Sequence, residues 1–401
     1  MTTSDAKPNL ALYIHWPFCR QKCPYCDFNS HVSTTHDSNE FGKALCLEMS
    51  YMAEMLPDRR ALRSIFFGGG TPSLMPPAVV GKIITHAEKT FGFVPTIEIT
   101  TEANPTSVEA KVMTEFYHTG VNRVSIGVQS LDNEMLKFLG REHDVAEAMS
   151  ALDTVRQRFD NLSIDLIYAT AGQTINDWQT TLAQTLTFDL PHLSLYQLTI
   201  EPGTVFYTRQ RNGETLHLDD DHAADLFDLT QHMTAAAGLP AYEISNHGKP
   251  SAQCQHNINY WQAGDWIGIG PGAHGRFTSA AKDYKNLQRI STANRRSPAG
   301  WLQSVKKTGR GIDTHTHDGA NAFAAEIIMM GLRLTIGVSV QKIETMCGPR
   351  GGWLDDTAVE QAIENGWLDG CQRDASGIVT DLRATDAGRL RLNHIIAMIL
   401  R

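Results

Sequence analysis

The chain is poor in the features that would assign it to several large classes. Its 401 residues include only seven cysteines, an odd number that does not make a disulfide framework. Four of them, Cys46, Cys254, Cys347 and Cys371, stand singly, as core or surface thiols do in a reducing cytoplasm. No second C-x-x-C accompanies the one present. No C-x-x-C-H occurs that would anchor a c-type heme through thioethers. The first ten residues are polar and lack the apolar core of a secretory signal. No stretch approaches the ~20 apolar residues of a membrane span, and repeats and low-complexity tracts are absent. Basic charge is scarce: 35 Lys and Arg face 44 Asp and Glu, a net −9, which argues against a nucleic-acid partner. These absences lead us to expect a cytoplasmic protein without a transmembrane segment. With 42% hydrophobic and 20% charged residues, the chain suits one large domain and a smaller one.

What is present is concentrated near the start. Cys19, Cys23 and Cys26 stand in His15-Trp16-Pro17-Phe18-Cys19-Arg20-Gln21-Lys22-Cys23-Pro24-Tyr25-Cys26, a C-x-x-x-C-x-x-C spacing. Three thiolates this close can converge on one iron–sulfur cluster. A [4Fe–4S] cubane with three protein ligands keeps one iron open for a small molecule. Zinc is the competitor, but zinc sites pair a C-x-x-C with a second ligand pair. The spacing resembles the signature of the radical S-adenosylmethionine (SAM) proteins, in which the methionyl part of SAM chelates the open iron.

Strand-like runs alternate with helical patterns from residue 10 to about 245. The strands are expected at Leu10–Ile14, Ser64–Phe67, Ile97–Thr101, Arg123–Val128, Ser163–Tyr168, Leu193–Leu198 and Ala241–Ile244, with a helix over Asp219–Ala237 among the segments between them. Such alternation means successive parallel βα units, here a partial (β/α)₆ barrel, whose chemistry sits at the C-terminal ends of its strands. The unusual residues fall there: the cysteine loop after the first strand, Gly68-Gly69-Gly70-Thr71-Pro72 after the second, Glu102 after the third and Gln129 after the fourth. Each has a bland explanation as a turn or a cap; their shared face does not. Residues 246–314 read as a His- and Gly-rich connecting loop. Residues 315–401 read as a small α-rich C-terminal domain of winged-helix-like pattern, with helices over Asn321–Leu334, Asp355–Asn365 and Thr385–Leu400 and a strand over Ile378–Arg383. The division is thus 1–245, 246–314 and 315–401. Lys282–Arg310 holds eight Lys or Arg against one acid, Asp283; a solvated connector is expected, with a docking patch for an anionic ligand, membrane or partner as the alternative.

Tyr13-Ile14-His15-Trp16-Pro17-Phe18-Cys19, Gly68–Pro72, Ile126–Gln129 and Asp165–Tyr168 resemble the coproporphyrinogen-dehydrogenase-like branch of the radical SAM proteins, over nearly the whole chain. Within that branch the chain is similar to the heme chaperones. The resemblance implies that Tyr13, Tyr25, Gly69, Gly70, Thr71, Glu102, Gln129, Arg141 and Asp165 match positions that contact SAM. It implies heme as a further cofactor and a heme-accepting protein as partner. The rival is the branch's enzyme activity, oxygen-independent oxidative decarboxylation of coproporphyrinogen III; a third reading is chemistry on another tetrapyrrole. Phe28 stands where the dehydrogenase has a fourth cysteine, and only nine residues precede the first strand. Both favour the chaperone, as does His256-Asn257-Ile258-Asn259-Tyr260-Trp261, which resembles the H-N-x-x-Y-W motif of that group. His256 is the first candidate for heme iron and His274 the second. Tyr260, Trp261 and Trp266 offer flat aromatic surface, or are simply core. The glycines of Gly268-Ile269-Gly270-Pro271-Gly272-Ala273-His274 lack the strand-to-helix context of a dinucleotide loop. One departure stands out. After Tyr168 the branch continues Gly-Leu-Pro-Gly-Gln, whereas this chain has Ala169-Thr170-Ala171-Gly172-Gln173.

Overall fold

The computed structural model describes residues 10–33, 35–279 and 283–401. Period-two alternation organises the barrel strands. In β1 (Leu10–Trp16) the side chains of Leu10, Leu12, Ile14 and Trp16 enter the hydrophobic core, while Tyr13 and His15 face a cavity. The pattern recurs in β2 (Leu62–Gly69), β3 (Phe93–Ala103), β4 (Arg123–Gln129), β5 (Asn161–Tyr168) and β6 (His192–Gln197). In β5, Leu162, Ile164 and Leu166 pack outward and Asp165 turns inward. Successive side chains of a strand point to opposite faces, so apolar outer positions bind the helices and polar inner ones line the barrel. All six strands are parallel, in the order β1-β2-β3-β4-β5-β6. Several of the helices that follow these strands start on side-chain caps. Asp219 caps Asp220–Ala236 by accepting from His222 N at 3.0 Å, and Thr174 with Asp177 forms a capping box.

The seventh strand lies later than the expected Ala241–Ile244. Ala241 forms only an isolated bridge with His247. The Glu243 carboxylate accepts from Ser245 N and Asn246 Nδ2, which turns the chain so that β7 (Asn246–Gly248) runs antiparallel to β6. Residues 246–314, expected as loop, also continue the same sheet. They supply β8 (Asp265–Ile269), parallel to β1, then β9 (His274–Thr278), β10 (Gln288–Asn294) and, running on to residue 319, β11 (Ile312–Gly319), all three antiparallel. The full order is β11-β10-β9-β8-β1-β2-β3-β4-β5-β6-β7. The glycines that look like loop punctuation allow close approach of backbone. A Cβ on Gly268 would overlap the His274 carbonyl, and Gly270, at φ +98°, lies against the His15 carbonyl.

The C-terminal part builds a second core around Phe323, Ile343, Trp353, Val359 and Ile395. The expected helices are Ala320–Gly331 and Asp356–Glu364; the third breaks into Asp386–Arg389 and Leu392–Ile399. They surround an antiparallel sheet of β12 (Val338–Ser339), β13 (Leu368–Arg373) and β14 (Val379–Ala384), with β14 central. Among the described residues no helix is long and apolar enough to cross a membrane.

The basic run is divided between the interior and the surface. Lys282 lies outside the described residues. Arg289 is fully buried, Arg295 pairs with Asp313, Lys306 pairs with Glu40, and Arg310 donates to Tyr51 Oη and lies over its ring. Of these only Arg289 is withdrawn from solvent; Arg295, Lys306 and Arg310 make their contacts at the exposed surface.

Candidate functional site: two cavities inside the barrel

The cysteine loop is clamped by the glycine loop. Gly70 N–H donates to Trp16 O (2.7 Å) and Thr71 N–H to Phe18 O (2.9 Å). Gly70 has to be glycine, because a Cβ there would lie 2.7 Å from Phe18 O and 3.0 Å from Cys19 Sγ. The two loops form one wall of an outer cavity of about 400 Å³ at the strand ends, lined by all three cysteines. Among the described residues no three His, Cys, Asp or Glu side chains converge on a point that would suit a single metal ion. The three thiols instead share a cavity wall, as ligands to different irons of one cluster do. Donors stand ready for the sulfurs: Arg141 Nη1 lies 3.3 Å from Cys23 Sγ, and Ser30 Oγ 3.8 Å from Cys26 Sγ. Burial raises the Cys19 and Cys26 thiols above their ordinary range.

Eight of the nine expected SAM positions line this outer cavity: Tyr25, Gly69, Gly70, Thr71, Glu102, Gln129, Arg141 and Asp165. Glu102 is pushed up to about 8, by burial first and by the Asp165 carboxylate second, against a hydrogen bond from Gly69 N–H. Arg141 is anchored on Asn104 Oδ1 (2.6 Å) and Gly127 O (3.1 Å). Gln129 takes a positive φ of 67° at the end of β4. Tyr13 does not join them; it donates to or accepts from His15 Nδ1 at 3.0 Å and faces an inner cavity instead. Sequence reasoning missed the end of β6, where Gln197, Thr199 and Glu201 line the outer cavity. The strand itself was expected, and the rule that strand ends carry the chemistry points to these residues. The departure after Tyr168 has a physical cost. Ala169 occupies the left-handed region at φ +61°, where glycine is unstrained. Its N–H is held by Gln173 Oε1 at 2.7 Å.

The inner cavity, about 450 Å³, meets the outer one at Phe28, Gly69, Glu102, Ser125, Asp165 and Tyr196. Its walls include Tyr13, Phe66, Tyr260, Trp266, His256 and His274. His256 lies in the helix Gln255–Trp261 and is buried. Both its ring nitrogens are engaged: Nδ1 with Ser64 Oγ at 2.9 Å and Nε2 with Tyr260 Oη at 2.8 Å. Burial, then Arg123, lowers it to about 3. His274, at the start of β9, is exposed; its ring makes no hydrogen bond among the described residues, and it is lowered by partial burial and then by Arg276. Trp266 faces the cavity and donates its Nε1–H to the His274 carbonyl at 3.0 Å.

Comparison with known proteins agrees along the length of the chain. The radical SAM superfamily pattern matches residues 13–184. The heme chaperone HemW of Escherichia coli K12 is 34% identical over 409 residues, covering 98% of each chain. HemW of Haemophilus influenzae is 39% identical over 411 residues with the same coverage. The mouse mitochondrial radical S-adenosyl methionine domain-containing protein 1 is 36% identical over 339 residues, 84% of this chain and 76% of the relative. The solved structure of coproporphyrinogen III oxidase (HemN) from E. coli, a radical SAM enzyme, superposes with a TM-score of 0.78 at 20% identity, covering 99% of this chain and 91% of that one. At that identity the superposition speaks for the fold.

Proposed function

Since this chain belongs to the radical SAM superfamily, in the family of the HemW proteins, we propose that it is a heme chaperone, which binds heme and passes it to an acceptor protein. Cys19, Cys23 and Cys26 hold a [4Fe–4S] cluster, whose chemistry when present is to offer an open iron to SAM. The glycine loop, Glu102, Arg141 and Asp165 orient SAM in the outer cavity. The observation that carries the heme assignment is the inner cavity: a space of about 450 Å³ beside the cysteine loop, walled by flat aromatic rings and three imidazoles, of which His15 is held on both ring nitrogens by Tyr13 Oη and Asn29 O. His274 is the preferred iron ligand, because its ring has no hydrogen-bond partner among the described residues, whereas His256 has to give up Ser64 or Tyr260 to reach a metal. This reverses the order expected from the motif.

The test is anaerobic reconstitution of the full chain followed by heme titration in the visible spectrum. His274→Ala should weaken heme binding at least tenfold with iron and sulfide of the cluster unchanged. Loss of heme in His256→Ala at unchanged stability would move the iron to His256. Formation of protoporphyrinogen IX from coproporphyrinogen III, SAM and reductant, above a cluster-free control, would overturn the chaperone reading in favour of the enzyme.

A further inference from the structure

The inner cavity contains a charge that neither cluster nor SAM uses. Arg123 opens β4 on the inward-facing side shared with Ser125 and lines the cavity, yet it is only 2% exposed. Its Nε is enclosed without a hydrogen-bond partner, and among the described residues its guanidinium forms no ion pair. Acids stand nearby: Arg123 feels Glu98 and Asp165 electrostatically. Their oxygens are turned to other donors. Glu98 accepts from Cys254 Sγ, Gln255 N and His256 N; Asp165 accepts from Ser125 Oγ at 2.9 Å.

An arginine remains charged throughout the accessible pH range, and a buried charge without a partner is costly. The balance is restored by an anion that arrives with a ligand, and the planar fork of a guanidinium matches a carboxylate. We propose that Arg123 is the seat for a carboxylate of the ligand that fills the inner cavity. Resting on the heme reading above, that carboxylate is a porphyrin propionate; the same chemistry could be supplied by the amino-acid carboxylate of a second SAM molecule. In either case Arg123 is a specificity-determining residue: it favours an acid over its ester.

The experiment compares heme with heme dimethyl ester, which lacks both propionate charges, on the reconstituted full chain and on Arg123→Gln. The parent should bind heme about tenfold or more tightly than Arg123→Gln, while both bind the ester alike. Equilibrium dialysis with SAM separates the two sources. Loss of one of two bound SAM molecules in Arg123→Gln, at unchanged heme affinity, keeps the carboxylate seat and assigns it to SAM. A folded Arg123→Gln with unchanged heme affinity and SAM stoichiometry overturns the proposal. So does an equal fall for heme and ester, since Arg123 would then act through shape alone. If Arg123→Gln does not fold, Arg123→Met, equally without the charge, carries the same comparison. A parent chain that neither distinguishes heme from its ester nor takes a second SAM also overturns it. A parent chain that binds no heme at all refutes the chaperone reading and leaves the seat to the dialysis result.

Discussion

His143 shows how one residue couples the site's surroundings to pH. It is buried, and its Nε2 lies 3.0 Å from Val128 O. Burial, then Arg141, lowers it to about 4. Below its ordinary range the unfolded chain takes up a proton that the folded chain refuses. Stability from this group is therefore complete above about pH 6.5 and is lost as the pH falls toward 4. His143→Gln removes that dependence. The stability difference between the parent and His143→Gln should shift by about 1–2 kcal/mol against the parent between pH 7 and pH 5, read from urea denaturation midpoints at the two pH values. A constant difference would mean that His143 titrates normally in the fold. Residue-level readings were legible where the backbone demanded a residue type. Gly70 could be read as a close-approach glycine, and it packs on Cys19 Sγ. Tyr13 could not be placed, because which cavity an inward side chain reaches depends on how far along the barrel it sits.

At the scale of elements, the site is two loops that must touch. The glycine loop after β2 and the cysteine loop after β1 meet through backbone hydrogen bonds and through the absence of a side chain at Gly70. The atoms a Gly70 Cβ would meet are the Phe18 and Pro17 backbone and Cys19 Sγ, and the backbone cannot swing away. Gly70→Ala should at least halve the iron and sulfide bound per chain after anaerobic reconstitution. Gly81→Ala is the control. Its Cβ meets only the Thr119 side chain, Cγ2 at 3.5 Å and Cβ at 3.6 Å, ordinary contacts, and alanine favours the helix Pro77–Phe91 around it. Equal iron in both variants would show that the two loops can separate without loss of the cluster. The six parallel strands were readable because an apolar outer face alternates with an inner one. The strands between residues 265 and 319 were not. Their glycines and histidines are there for close crossing and for the cavity, and those residue types mimic loop composition.

For the whole molecule, the junction between sheet and C-terminal part rests on a buried ionic network. Arg289, on β10, donates to Asp265 on β8 (2.5 Å), to Glu326 in the helix Ala320–Gly331 (3.0 and 3.2 Å), and to the Ala263 and Gly264 carbonyls (3.1 and 2.9 Å). It lies over the Phe323 ring, 4.6 Å from the centroid. Arg60 and Arg276 hold the outer oxygens of the two acids. Arg289→Met keeps the bulk and leaves both carboxylates short of a partner. It should cost about 3–5 kcal/mol, measured by urea denaturation. A loss under 1 kcal/mol would mean that Arg60 and Arg276 suffice.

The sequence by itself determined the barrel and the place of its candidate site. The cysteine spacing, the glycine loop and the period-two strands are local patterns, and local sterics and burial dictate what they form. Only the tertiary structure decided the rest: that β8 pairs with β1 across some 250 residues of chain, that an inner cavity adjoins the outer one along shared walls, that His256 is bonded on both ring nitrogens, and that among the described residues the His274 ring and the Arg123 guanidinium find no partner. These are facts about which distant groups meet in space. Hydrogen-bond satisfaction of a buried side chain depends on those meetings, and spacing along one chain does not specify them.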